Sequence, residues 1–337
     1  MAKIAITGAS GKLGNATLTA LLTHNLIPAS SIIALTSSQP GSSTWISLAA
    51  KHPDLEVRHA SFEDPPSFEQ ALRGVTKLFL VSTPHIALDF DRQDGDGKWT
   101  AVPDGLGREA HHRVALDAAV HAGVAHVYYS SLAFGWDGAR ASHSSSAGVM
   151  RAHLRTEAYL SQLLHEERFR SVTAVREGLY AESWPLYLGY FSPSGGDDRT
   201  EVLLPGDGKV CWTAIKDLGL ANALLLVRRE EEGVGMTVYL STRPENAKTV
   251  GEIAALVGEA RGKEVKVKIV GRDEHEEFYV QKRGKERPAV RWWASTYEAL
   301  EQGECLVNDP TLEKLLEGVG VKPTSVDEVI AKMIKKE

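Results

Sequence analysis

Between the short apolar run Ile4-Ala5-Ile6 and the helically spaced apolar residues of Leu13 to Leu22 stands Thr7-Gly8-Ala9-Ser10-Gly11-Lys12-Leu13-Gly14. Three glycines at G-x-x-G-x-x-G spacing, on a strand-to-helix corner, leave few folds open. One glycine permits the tight turn, another lets backbone approach a diphosphate, and a third allows close helix–strand packing. The helix start then presents unpaired N–H groups and the positive end of its dipole to phosphate. A glycine pattern in a turn that merely packs would carry little weight. Here a strand precedes it, a helix follows, and an α/β pattern continues behind it. Gly8, Ser10, Gly11, Lys12, Leu13 and Gly14 are therefore the candidate contacts to a dinucleotide.

The alternation is regular over the first two-thirds of the 337 residues. Ile32 to Leu35, Leu55 to Val57, Lys77 to Ser82, His126 to Ser131 and Ser171 to Arg176 read as strands. Helices are expected over Ser67 to Arg73, Gly107 to Ala122 and Val149 to Leu164. Apolar runs separated by amphipathic helices indicate βαβ units and a parallel sheet. The expected fold is α/β: a doubly wound, mostly parallel Rossmann sheet with a smaller α/β substrate lobe. Residues 1–176 are assigned to the nucleotide-binding domain, with 205–230 returning to it; 177–204 and 231–337 are assigned to the smaller lobe. Asp89 to Asp104 reads as an exposed insertion, and Val202 to Ala214 as a hairpin around Pro205-Gly206-Asp207-Gly208. A helix follows over Asp217 to Arg229, and Glu230 to Glu232 read as solvated surface.

Composition excludes other classes. Hydrophobic residues at 43% and charged residues at 24% describe a globular chain rather than a disordered or coiled-coil one. A net charge of −6 argues against a nucleic-acid partner held by phosphate contacts. No apolar stretch approaches the ~18 residues of a spanning helix, so no membrane partner is expected. The two cysteines, Cys211 and Cys305, have no metal-ligand spacing and fit a reducing compartment. With no signal-peptide pattern at the start, a cytoplasmic location is expected.

Further segments narrow the reading. TGASGKLG at the start, His111-His112-Arg113 before Ala118-Ala119, HVYYSSL over His126 to Leu132, MRAHLRTEAYL over Met150 to Leu160, REGLYAES over Arg176 to Ser183 and WTAIKDL over Trp212 to Leu218 resemble the NmrA-like family of atypical short-chain dehydrogenases, its fungal members above all. The resemblance runs from residue 1 to about residue 230. It implies either an NAD(P)H-dependent quinone reductase or a dinucleotide-sensing regulator that binds a partner protein. A non-redox isomerase or cyclase that kept the pocket is a third possibility.

A site preferring NAD places an acid at the end of strand two, about 20 residues past the glycine loop. Here that place reads Thr36-Ser37-Ser38. No carboxylate repels a 2′-phosphate there, so NADP(H) is favoured over NAD(H). The arginine that many family members carry after this strand is absent. Lys12 is either a phosphate contact or a solvated helix residue. Ser61-Phe62 is similar to the family's adenine-flanking pair, and Ser82-Thr83-Pro84 ends strand four where the nicotinamide ribose would lie.

The superfamily's Tyr-x-x-x-Lys pair is missing. Glu157 marks the helix; His153 stands in the lysine position and Val149 in the tyrosine position. Ser131 keeps the strand-five position. Tyr-dependent ketone chemistry is therefore not expected, whereas hydride transfer to a quinone-like aromatic small molecule remains open. His153 either bonds ribose or substrate, or pairs with Glu157 at i, i+4. The catalytic candidates are His153, Ser131 and Tyr180. Trp136, Trp184, Tyr187 and Trp212 are candidates for an aromatic pocket wall.

Overall fold

The computed structural model describes residues 3–138, 142–194, 196–228 and 235–334. Seven strands form one sheet: β1 (Ile4–Ile6), β2 (Ile32–Thr36), β3 (Glu56–His59), β4 (Lys77–Val81), β5 (His126–Leu132), β6 (Ser171–Glu177) and β7 (Met236–Leu240). Every pairing is parallel, and the order is β7-β6-β5-β4-β1-β2-β3. The order reverses between β1 and β4. At such a switch point the loops leaving adjacent strands diverge, which opens a crevice at the carboxyl edge.

Both faces of the sheet are buried, so its strands read as near-continuous apolar runs. Helices α1 (Lys12–Thr23), α2 (Ser43–Ala49), α3 (Pro65–Ala71), α4 (Arg108–His121), α5 (Met150–His165), α6 (Trp184–Tyr187) and α7 (Ile215–Leu226) follow in chain order. Side chains alternate between the faces as the pleat requires. Ile4, Ile6 and Phe79 meet Leu18 and Leu21 of α1 and Leu218 of α7. Ala5, Leu78, Leu80 and Val127 meet Phe68 of α3, Leu116 of α4 and Leu160 of α5. Each buried Leu or Phe contributes roughly 1.5–3 kcal/mol. Gly219 of α7 lies against Ala16 of α1, where a Cβ would strike the Ala16 backbone.

A second core sits over the carboxyl edge. It joins Phe134, Trp184 and Trp212 to α8 (Val250–Arg261), α10 (Arg287–Glu301) and α12 (Val326–Ile334). Between these lie α9 (Arg272–Gln281) and α11 (Thr311–Glu317), the latter packed on the α1/α7 side.

Three expectations are corrected. Met236–Leu240, placed by sequence in the smaller lobe, is the seventh strand of the main sheet, in register with Thr173–Glu177. Val202 to Ala214 is not a hairpin. Glu201–Leu204 pairs in parallel with Lys266–Ile269, and Lys209–Val210 pairs with Lys248–Thr249. The Pro-Gly-Asp-Gly turn instead carries Asp207 to the start of α8, where its carboxylate accepts from Val250 N at 2.7 Å and Gly251 N at 3.0 Å. Asp89 to Asp104 is not wholly exposed: Arg92–Gln93 and Trp99–Thr100 form a small hairpin, and Asp89 is buried. Glu230 to Glu232 lie outside the described residues.

Candidate functional site

The glycine loop is fixed from both sides. Thr7 Oγ1 accepts from Val81 N at 2.7 Å, and Ala9 N donates to Leu35 O at 3.0 Å, tying the loop to β4 and β2. Gly8 takes a φ of +57°, and Gly11 N turns back to Gly8 O at 2.8 Å. Gly11 caps α1 in ordinary extended backbone, without any side-chain cap. The amides of Lys12, Leu13 and Gly14 therefore have no partner within the helix. Gly14 is the close-approach residue. A Cβ there would lie 2.8 Å from Gly8 C and 2.9 Å from Thr7 O, and closer still to Gly8 O. At Gly11 the nearest atom would be Gly8 O at 3.1 Å.

In front of the loop opens a cleft of about 540 Å³. It brings together Gly8, Ser10, Gly11, Ser37, Ser61, Phe62 and Pro84 from the sequence-derived set, and adds His59 and His85. Lys12 is exposed on the helix start and does not line it; Leu13 and Gly14 are buried behind the loop. Thr36 is buried too. Its hydroxyl accepts from Ser38 N at 3.2 Å and meets Ser10 Oγ at 3.4 Å, so Thr36 shapes the floor while Ser37 is the exposed residue. No carboxylate stands at the end of β2; Glu63 and Asp64 lie on the β3 side of the cleft. Ser61 N donates to Ser67 Oγ at 2.9 Å, and Phe62 is held between Phe68, at 5.0 Å, and the stacked ring of His111, at 5.4 Å.

Beyond Ser82-Thr83-Pro84 the predicted catalytic residues are engaged internally. Ser131 donates to Glu157 at 2.5 Å. Glu157 in turn holds Arg176 through Oε2 at 2.7 Å and Oε1 at 3.1 Å. Arg176 is fully buried and also reaches Ser142 O and the Tyr239 hydroxyl. The i, i+4 pairing of His153 with Glu157 does not form. His153 is buried; its Nδ1 lies 3.0 Å from the Tyr129 hydroxyl and its Nε2 lies 3.4 Å from Arg108 Nη1. Burial, then the Arg108 charge, hold His153 well below the usual imidazole range, and His112 is depressed by the same two causes. Both rings are therefore neutral.

Tyr180 follows β6, bridges to Thr213 and packs with the α1/α7 cluster, whereas His153 meets Tyr129 on the other face. Burial pushes the Tyr180 hydroxyl up. Trp184, Tyr187 and Trp212 belong to the second core, and Trp136 packs edge-on against Tyr239 at 5.0 Å; they do not form an open wall. Glu177, at the end of β6, is fully buried. Asn222 donates to its Oε1 at 2.8 Å, its Oε2 has no partner among the described residues, and burial raises its pKa to about 8.

Sequence reasoning missed Asp89, Arg108, His112 and Tyr129. Two signals were readable: Arg108 and His112 share a helix face at i, i+4, and Tyr129 and Ser131 share a strand face at i, i+2.

Known proteins resemble this chain over nearly its whole length. The profile of the NmrA-like family matches residues 1–285. An NmrA-like family domain-containing oxidoreductase of Aspergillus flavus, flvB, is 28% identical over 92% of this chain and 89% of its own. Quinone oxidoreductase 2 of Escherichia coli is 28% identical over 78% of this chain and 76% of its own. Among solved structures, the Escherichia coli NADPH-dependent quinone oxidoreductase complexed with NADPH superposes with a TM-score of 0.73, at 25% identity, over 98% of this chain and 99% of that one. The Citrobacter triphenylmethane reductase superposes at 0.72 with 26% identity, over 99% of both chains. With 285 residues matched and this fold, the chain belongs to the NmrA-like family.

Proposed function

We propose that the protein is an NADP(H)-dependent oxidoreductase that reduces a quinone or another conjugated aromatic acceptor. The observation that carries the reading is the cradle at the end of an acid-free β2. Gly14 lets the loop close against the helix start, where any Cβ would strike the Gly8 and Thr7 backbone, the amides of Lys12, Leu13 and Gly14 have no partner within the helix, and Thr36-Ser37-Ser38 brings no charge against a 2′-phosphate. A nicotinamide dinucleotide fits that arrangement and supplies a hydride when bound. The loop from Gly8 to Gly14 would hold its diphosphate, Ser10 and Ser37 its adenosine-side phosphate, Ser61 and Phe62 its adenine. The smaller lobe, built on the second core over the same edge, is assigned the substrate side. The relatives described above, a quinone oxidoreductase and a dye reductase among them, support the substrate class.

The side chains also favour that class. Ser131 donates its hydrogen bond to Glu157, the His153 Nε2 faces a cation, and burial raises the Tyr129 hydroxyl. None of these three groups is arranged as an acid, so the proton would come from solvent or from a histidine lining the cleft, His59 or His85. A quinone tolerates this because the reduced oxygen is a stabilised phenolate, whereas a simple ketone would leave an alkoxide.

The same internal engagement of Ser131 and His153 favours a second reading, a dinucleotide-sensing regulator without turnover. Purified protein titrated with NADPH and NADH, then assayed with NADPH and a panel of quinones, separates the two. Tighter NADPH binding with quinone-dependent oxidation above background supports the first. Binding without turnover supports the second, and NADH preference would overturn the cofactor assignment.

A further inference from the structure

Arg108 opens α4 and is buried, yet its guanidinium reaches Ser82, the residue that follows β4. Asp89 accepts its backbone N–H at 2.8 Å and its Nε–H at 2.5 Å, so one carboxylate caps the helix and pairs the charge. Gly107 makes this possible: its φ is +67°, and a Cβ there would collide with Asp89 Oδ1. The guanidinium spends Nη2 on Val149 O at 2.8 Å and turns Nη1 toward Ser82 Oγ and His153 Nε2, both at 3.4 Å.

These contacts fix the hydrogens around Ser82. Thr83 N–H donates to His112 Nε2 at 3.2 Å, so that nitrogen carries the lone pair. Ser82 Oγ, 3.1 Å from the same nitrogen, must donate to it. It accepts from Arg108 on another side. The Tyr129 hydroxyl faces both Ser82 and Thr156; with its proton turned to Thr156, Ser82 has one acceptor lone pair left. Asp89, Arg108, His112, Tyr129 and His153 are all buried, whereas Ser82 is half-exposed at the strand end.

We propose that Arg108 is a positioning residue for the nicotinamide half of the dinucleotide site: held by Asp89, it fixes Ser82 as an acceptor for a hydroxyl-donating ligand group, such as a ribose hydroxyl. This rests on the dinucleotide reading above. Arg108 acts through Ser82 and does not touch the ligand.

Two probes test it on the full chain: NADPH, and adenosine 2′,5′-bisphosphate, which lacks the nicotinamide riboside. In Arg108→Gln and in Ser82→Ala, NADPH affinity should fall about fivefold or more, the loss of one hydrogen bond, while affinity for the bisphosphate stays at the wild-type value. The double variant should lose no more than Ser82→Ala alone, because both changes remove the same contact. Ser82→Thr, which keeps the hydroxyl, should retain NADPH binding. Wild-type NADPH affinity in folded Arg108→Gln, or equal losses for both probes, would overturn the inference and leave the dinucleotide reading standing. If Arg108→Gln does not fold, unchanged NADPH binding in Ser82→Ala overturns it alone. A wild-type protein that binds neither probe would overturn the reading and the inference with it.

Discussion

Replacing Glu177 with glutamine should stabilise the protein in a pH-dependent way. The carboxyl is fully buried at the end of β6, with Asn222 on Oε1 and, among the described residues, nothing on Oε2. Burial raises its pKa from 4.5 to about 8. Below pH 4.5 the group is protonated whether the chain is folded or not, and burial of its charge costs nothing. Above that pH the unfolded chain releases the proton while the folded chain keeps it, so stability falls by about 1.4 kcal/mol per pH unit. The loss reaches about 3 kcal/mol at pH 7 and flattens near ~5 kcal/mol once the folded group ionises above pH 8. Glutamine has no charge to bury. Its carbonyl can accept from Asn222, and its amide leaves one position unpaired, as the acid does, so that penalty does not vary with pH. Urea unfolding of both proteins between pH 5 and pH 9 should give a stability difference that grows with pH in favour of Glu177→Gln, then levels off. Parallel curves over that range would refute the argument, because they would mean that Glu177 is ionised in the folded protein at neutral pH.

Gly14→Ala should abolish measurable NADPH binding, since its Cβ meets backbone below 3 Å; Gly11→Ala, with its nearest atom at 3.1 Å, should weaken binding without abolishing it, and cofactor fluorescence titration ranks the two. Ser37→Asp should shift preference from NADPH toward NADH by about tenfold or more, whereas an acid at Thr36 should first cost stability because that side chain is buried. Asp89→Asn should destabilise the fold by about 3 kcal/mol in chemical denaturation, because it leaves the Arg108 charge buried without its carboxylate. His153→Ala should leave the pH dependence of turnover unchanged, because the neutral ring has no protonation step in the working range; loss of a limb from the pH–rate profile would return His153 to the role of acid.

The parts of this molecule that were legible in its sequence are those settled by neighbours in the chain. The glycine loop is one: Gly8, Gly11 and Gly14 act on one another within a single turn, so their spacing already encodes the cradle. The apolar strands are another, because a parallel sheet buried on both faces leaves the same mark wherever its strands pair. The hairpin over Val202 to Ala214 was misread because Pro205-Gly206-Asp207-Gly208 signals a turn but not its partner. Register there is set by Lys266–Ile269, more than sixty residues on, and by Asp207 reaching α8. Met236–Leu240 was misplaced for a similar reason, since its position after the lobe segments says nothing about which sheet edge is free.

The candidate acid–base residues were legible as residue types and illegible in state, and the physics of burial explains the gap. A histidine in a lysine's place reads as a proton carrier. Whether it carries one depends on Arg108, 45 positions away, and on Asp89 a further 19 away, neither of which any local pattern links to it. Once folded, two cations and two anions balance beneath the carboxyl edge: Arg108 with Asp89, and Arg176 with Glu157. Neither pair leaves an excess anion to stabilise a protonated imidazole, and both guanidinium groups lower the His153 pKa further. A buried ring in that setting takes the neutral form, because charging it would add an unpaired ion to a low-dielectric interior. With His112 and His153 in that form, the hydrogen bonds around Ser82 do not change across the neutral range. Under the proposed function, His153 is then no titratable acid for carbonyl reduction, which favours acceptors that can take up their proton from water.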